Sequence, residues 1–206
     1  MQEEIATYLG HRGYSIKKEN ISVNEQQLIR KELNVKPFVP KSSLIKPIPF
    51  PVYRESKNKL YVPRFYGVDT YGEPDAIVID DGQDINVDFK GKLRPQQIPI
   101  VKKFIKHVKK HGGGLLALHT GFGKTVLALF ILSLLKKKTL IIVHKEFLLR
   151  QWMERIEQYL PQAKIGKIQA KTIDTDNKDI VICMLQSLSM KEYPKELFYE
   201  YGFTIV

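Results

Sequence analysis

In RPQQIPIVKKFIKHVKK (94–110) the apolar residues fall at 98, 100, 101, 104, 105 and 108. That spacing follows a 3.6-residue repeat and predicts an amphipathic helix. The glycines at 112–114 end it. Beyond them the pattern changes to short continuous apolar runs: LLALH (115–119), TLIIVH (139–144), DIVICM (179–184) and FTIV (203–206). Runs of this length predict strands covered on both faces. Between them, residues 124–136 and 145–160 read as helices. Strands alternating with helices predict an α/β fold, a parallel sheet with helices on both faces.

Upstream of residue 89 the rhythm is different. Residues 1–35 read as mostly helical, and Ser22 with Glu25 three positions on forms a capping-box signature. Prolines 37, 40, 47, 49 and 51 favour extended chain. Residues 50–67 predict a hairpin around a polar turn at 56–59, and residues 73–91 one or two short strands. The expected organisation is a small α+β accessory domain, 1–88, before an α/β domain, 89–206.

Charge sharpens that division. Residues 1–88 hold 12 Lys+Arg and 13 Asp+Glu, whereas 89–206 hold 21 and 9. A polyanion is the natural partner of the second part, solubilisation by lysine being the plainer reading. The single cysteine, Cys183, lies in an apolar run and reads as a buried thiol. The histidines have no metal-ligand spacing, and the longest apolar run, 126–135, is too short to span a bilayer. The N-terminus has no signal-peptide pattern. The expectation is a soluble intracellular protein without a membrane partner.

The stretch LHTGFGKTVLAL (118–129) carries the chemistry. A predicted strand delivers the chain to Thr120, Gly121, Phe122 and Gly123, and a helix begins at Lys124. The glycines allow close backbone approach, and the helix start favours phosphate. Lys124 suits the β- and γ-phosphates of a nucleotide, and the Thr125 hydroxyl suits Mg2+. The usual loop opens with a glycine; here Leu118 holds that place, where the strand ends and the steric demand is modest.

Together, KLRPQQ, GFGKT, VHKEFLLRQW and CMLQSL resemble the first, RecA-like P-loop lobe of a superfamily 2 helicase. The nearest branch is XPB-like and type III restriction-like, closest to the poxvirus-type transcript-release helicases of large nucleocytoplasmic DNA viruses. The resemblance implies ATP and Mg2+ as cofactors and DNA or RNA, single strand or branched duplex, as partner, with transcription or replication machinery as the wider setting. If the source is viral, it implies host cytoplasm or virion. It implies that Gln97 reads the adenine, with Arg94 flanking and Phe89 stacking; the alternative is a helix cap. It places His144, Lys145, Gln151, Gln186 and Ser187 on nucleic-acid backbone. Helix capping is the alternative for Gln186 and Ser187, and for Trp152 a core position is the stronger reading. Lysines 136–138 read as a solvated helix end. Tyr53, Tyr61 and Tyr66 are either base-stacking or core.

In this family a D-E-x-H box follows the strand at 203–206, and a second lobe brings an arginine finger. Neither occurs in the 206 residues. The expectation is the N-terminal part of a longer ATP-dependent helicase, which alone binds nucleotide without hydrolysing it. The alternative is a basic binding or regulatory module without turnover.

Overall fold

The computed structural model describes residues 6–40 and 47–206. The first residues of the N-terminus (1–5) and part of the proline-rich passage (41–46) lie outside them. The chain divides into two compact units, residues 1–79 and 80–206.

In the first unit, β1 (Thr7–Gly10) and β2 (Gly13–Lys17) form a hairpin where mostly helix was expected. The strands are short and alternate, and tertiary pairing decides their state. Helix α1 (Val23–Glu32) opens with the foreseen capping box, Ser22 and Glu25 each accepting the other's backbone N–H. Then follow β3 (Asn34–Val35), β4 (Phe50–Pro51), β5 (Arg54–Glu55), β6 (Lys59–Val62), α2 (Arg64–Tyr71) and β7 (Ala76–Ile77). The hairpin around 56–59 forms as β5–β6, but its expected second arm ends at Val62, and Pro63 starts α2 instead.

The main sheet has the order β5-β6-β2-β1-β7, with only β7 parallel to its neighbour. Leu9, Tyr14, Ile16, Leu60 and Val62 form its core face, packed with Ile29 of α1, Leu33 just after it, and Val68 and Tyr71 of α2. Gly67 lets α2 come this close: a Cβ there would lie 2.2 Å from Tyr14 Cγ. Tyr53 and Tyr66 also pack on this core.

The second unit contains α3 (Gln97–His111), α4 (Lys124–Leu135), β8 (Thr139–Val143), α5 (Glu146–Tyr159), β9 (Ile165–Gln169), β10 (Thr172–Asp174), β11 (Ile180–Met184), α6 (Leu185–Met190) and β12 (Phe203–Ile205). The sheet order is β10-β9-β11-β8-β12, parallel except for β10. One face (Ile141, Val143, Ile180, Ile182) packs on Leu129 and Leu132 of α4 and Leu149 and Ile156 of α5. The other (Leu140, Ile168, Val181, Cys183) packs on Leu188 and the 193–201 segment. Cys183 is fully buried, and burial pushes its thiol up to about 12. Trp152 packs against the first of these cores, as expected of a helical tryptophan.

Three expectations are corrected, and one element is new. Residues 115–119 form no strand: none is paired with β12, and Leu115 is 90% exposed while Leu116 and Leu118 turn onto Val101, Leu127 and Ile131. A strand needs a partner for its backbone groups, and three-residue β12 pairs with β8 alone. The hairpin β9–β10 was not foreseen, since its two-residue turn is Ala170–Lys171, with Ala170 at φ 50°. Residues 80–88 belong to the second unit: Lys138 N–H donates to Gln83 O, Ile85 N–H to Lys136 O, and Val87 enters the core. Lys138 is no solvated helix end, being 4% exposed and paired with Glu200 at 2.5 Å.

Candidate nucleotide-binding site

The loop before α4 turns on two glycines in the left-handed region, Gly121 at φ 80° and Gly123 at φ 95°. Gly123 is the N-cap, so no side chain occupies the first N–H groups of α4, and its first turn carries no acid. Those donors and the positive end of the helix are suited to an anion. A Cβ on Gly123 would also lie 2.7 Å from Gln97 Nε2, so the position excludes side chains twice over.

Lys124 Nζ donates to the carbonyls of Leu118 at 3.0 Å and His119 at 3.1 Å. The ammonium therefore sits over the loop that leads to it, held by weak exposed acceptors that phosphate oxygens can replace. Leu118 contributes that carbonyl while its side chain packs inward. The missing glycine is thus no steric defect. Thr125 is half-buried on the first turn of α4, and Thr120 is exposed. The His119 ring packs edge-on against Phe122, with Nδ1 2.8 Å from Thr120 O.

Gln97 stands differently from expectation. It is 3% exposed, its Oε1 accepts from Arg94 N–H at 2.9 Å, and its Nε2 donates to Phe122 O at 2.9 Å. The amide thus ties the start of α3 to the phosphate loop. Arg94 is exposed beside it. Phe89 is half-buried, its ring stacked on Tyr159 at 5.2 Å and edge-on to Phe130.

A second group of residues gathers at the C-terminal ends of the parallel strands, the edge where open α/β sheets hold ligands. His144 and Lys145 follow β8 and are exposed; Gln186, after β11, donates from Nε2 to His144 O at 2.9 Å. These three are brought together. Gln151 is exposed further along α5, and no hydrogen bond among the described residues joins it to them. Ser187 is buried, and its Oγ accepts from Ala170 N–H at 2.9 Å, fixing the β9–β10 turn. Sequence reasoning missed that turn, where Lys171 is exposed and Lys191 Nζ donates to Ala170 O. The alternation in IGKIQ was its only signal. Among the described residues no cluster of three or more His, Cys, Asp or Glu is placed for a metal, and no helix is long and apolar enough to cross a membrane.

Residues 90–206 match the family model described as type III restriction enzyme, res subunit. A protein of Acanthamoeba polyphaga mimivirus, whose name places it among ATP-dependent RNA helicases, is 35% identical over 215 residues, covering 100% of this chain and 40% of its own length. The XPB2 DNA 3'-5' translocase of Sulfurisphaera tokodaii is 44% identical over 71 residues, 34% of this chain and 15% of that protein. The transcript termination protein A18 of Yaba monkey tumor virus is 28% identical over 118 residues, 55% of this chain and 24% of that protein. The chain thus spans well under half the length of these relatives.

Proposed function

The chain belongs to the type III restriction enzyme res-subunit family, among the superfamily 2 helicases, and from that footing we propose that it binds ATP-Mg and nucleic-acid backbone as part of an ATP-driven helicase or translocase. The observation that supports this most is Lys124, poised on Leu118 O and His119 O above a glycine loop whose helix start has no side-chain cap. That arrangement fits a polyphosphate.

ATP supplies a transferable phosphoryl group and Mg2+ neutralises its charge. Lys124 leaves the two carbonyls for phosphate oxygens. The N–H groups of Gly121, Gly123 and the first turn of α4 donate to the same oxygens. Thr125 offers its hydroxyl toward the metal. Arg94 flanks the base. Gln97, with its amide bonded on both sides, acts first as a positioning residue for the loop. His144, Lys145 and Gln186 hold strand backbone, which positions a strand without reading its sequence.

The 206 residues contain no Asp-Glu-x-His sequence, so the polypeptide by itself is expected to bind nucleotide without turnover. Titration with a fluorescent ATP analogue tests the reading. Wild type binds in a Mg2+-dependent way, and Lys124→Ala loses most of the affinity. Equal binding by both would sink the nucleotide site and favour a basic module that binds nucleic acid alone.

A further inference from the structure

Helices α1 and α2 pack on one face of the first unit's main sheet, and neither packs on the other. Cross-strand partners share a face, so the register assigns what this second face carries. Ser15 of β2 lies opposite Tyr8 of β1 and Tyr61 of β6. Beyond the tyrosines stand Ala76 and Arg54. One pleat along, Lys17 lies opposite Lys59. The result is a trough of small residues between two aromatic rings, with cations at its end and side.

Several observations make this more than a polar surface. A cavity of about 350 Å3 opens over the trough, lined by Tyr8, Ser15, Lys17, Lys59 and Val78 among others. Ser15 is 1% exposed and forms part of the cavity wall, with its hydroxyl buried beside Tyr8. Lys59 Nζ lies 4.7 Å from the Tyr8 ring centre and 3.4 Å from its hydroxyl; the Arg12 guanidinium lies 5.3 Å from the Tyr61 ring centre. Lys17 is paired with Glu19 at 3.6 Å. Glu55 sits across the sheet with Lys18 and Arg30. With the unit ending at Ile79, it holds 12 Lys+Arg against 9 Asp+Glu, because the aspartates at 80, 81, 84 and 88 belong to the second unit.

We propose that this sheet face binds one nucleotide unit of a single nucleic-acid strand. The base lies against Tyr8 over the cavity, and the phosphate meets Lys59. Aromatic rings beside cations are the sequence-tolerant way to hold a strand. The ligand class rests on the nucleic-acid reading above; the site does not, since it lies in the other unit.

The test uses the whole 206-residue chain and a short oligothymidylate carrying one 5-iododeoxyuridine, with crosslinks mapped by mass spectrometry. A crosslink at Tyr8 is expected, lost in Tyr8→Leu. Affinity should fall roughly tenfold in that variant. Lys59→Gln should lower the slope of log affinity against log salt by about 0.7. Both variants should melt like wild type; if they do not, Ser15→Leu, which fills the trough, must give the same loss. Crosslinks confined to 80–206, with variants binding like wild type, overturn this site and leave the helicase reading standing. No binding by either unit overturns both. Protection of the cavity by AMP but not by the strand overturns the strand as occupant.

Discussion

The Gln97 side-chain amide donates to the Phe122 carbonyl at 2.9 Å while accepting from the Arg94 N–H at the same distance. A 3%-exposed side chain thus fixes the phosphate loop to the start of the preceding helix. Gln97→Ala leaves a backbone donor and a backbone acceptor without partners, at about 1–3 kcal/mol each. Gln97→Glu retains an acceptor for Arg94 but turns a carboxylate toward the Phe122 carbonyl, and should be worse. Thermal unfolding and ATP-analogue affinity should both fall for both variants. Loss of affinity with unchanged melting would mean that Gln97 serves the base rather than the loop.

Gly121 and Gly123 separate conformational strain from steric exclusion. Both have positive φ, which costs a residue with a Cβ about 1–2 kcal/mol. At Gly121 a Cβ meets nothing within 4 Å, whereas at Gly123 it meets Gln97 Nε2 at 2.7 Å. Gly123→Ala should therefore destabilise more than Gly121→Ala and should also break the Gln97–Phe122 contact. Denaturant midpoints of the two variants decide it; equal midpoints would contradict the contact argument.

The pair Lys138–Glu200 is lopsided: the lysine side chain is 5% exposed and the glutamate 46%. Removing the exposed partner strands a buried cation, while removing the buried one leaves a carboxylate in water. Glu200→Ala is expected to cost about 1–3 kcal/mol, below the range for fully buried pairs because water screens the carboxylate. Lys138→Met, which keeps the packing volume, should cost less. Chemical denaturation of the two variants gives the order.

In the first unit, Glu55 accepts hydrogen bonds from Arg30 and, next in weight, Lys18, which hold its pKa at about 2 against an ordinary 4.5. The folded value is depressed, so this stabilisation is complete above pH 4.5 and fades as pH falls toward 2. The side chain is 38% exposed, so screening keeps the effect small. Comparing Glu55→Gln with wild type by thermal unfolding from pH 6 to pH 2 should show a gap at pH 6 that closes at the acid end. A gap that persists at pH 2 would rule the linkage out.

Much of the second unit was legible in the chain. Helices α3, α4 and α5 and strands β8 and β11 come from long periodic or continuous apolar runs, where burial and local propensity agree. The glycine loop was legible because its chemistry requires residue types at fixed spacing. What escaped reading depends on partners distant in sequence. The segment at 115–119 has strand composition but no paired neighbour. Thr7–Lys17 has too few residues to declare its period, and the well-capped helix at 23–32 drew the reading toward helix. Gln97 and Ser187 show the same limit at the site. Their residue types fit ligand contacts, but Phe122 O and Ala170 N, 25 and 17 residues away, already occupy them.

The nine residues before Phe89 act as an added strap on the nucleotide-binding unit, and this determines where that unit can be cut from the chain. A polypeptide starting at Phe89 loses Val87 from the core and frees Lys136 O and Lys138 N from their partners Ile85 and Gln83. It would also free Glu200 O from Gln83 N–H, beside the turn into the last strand. A polypeptide starting at Asp80 keeps all of these. The natural first residue of the unit is an aspartate nine positions upstream of where composition and charge change along the chain.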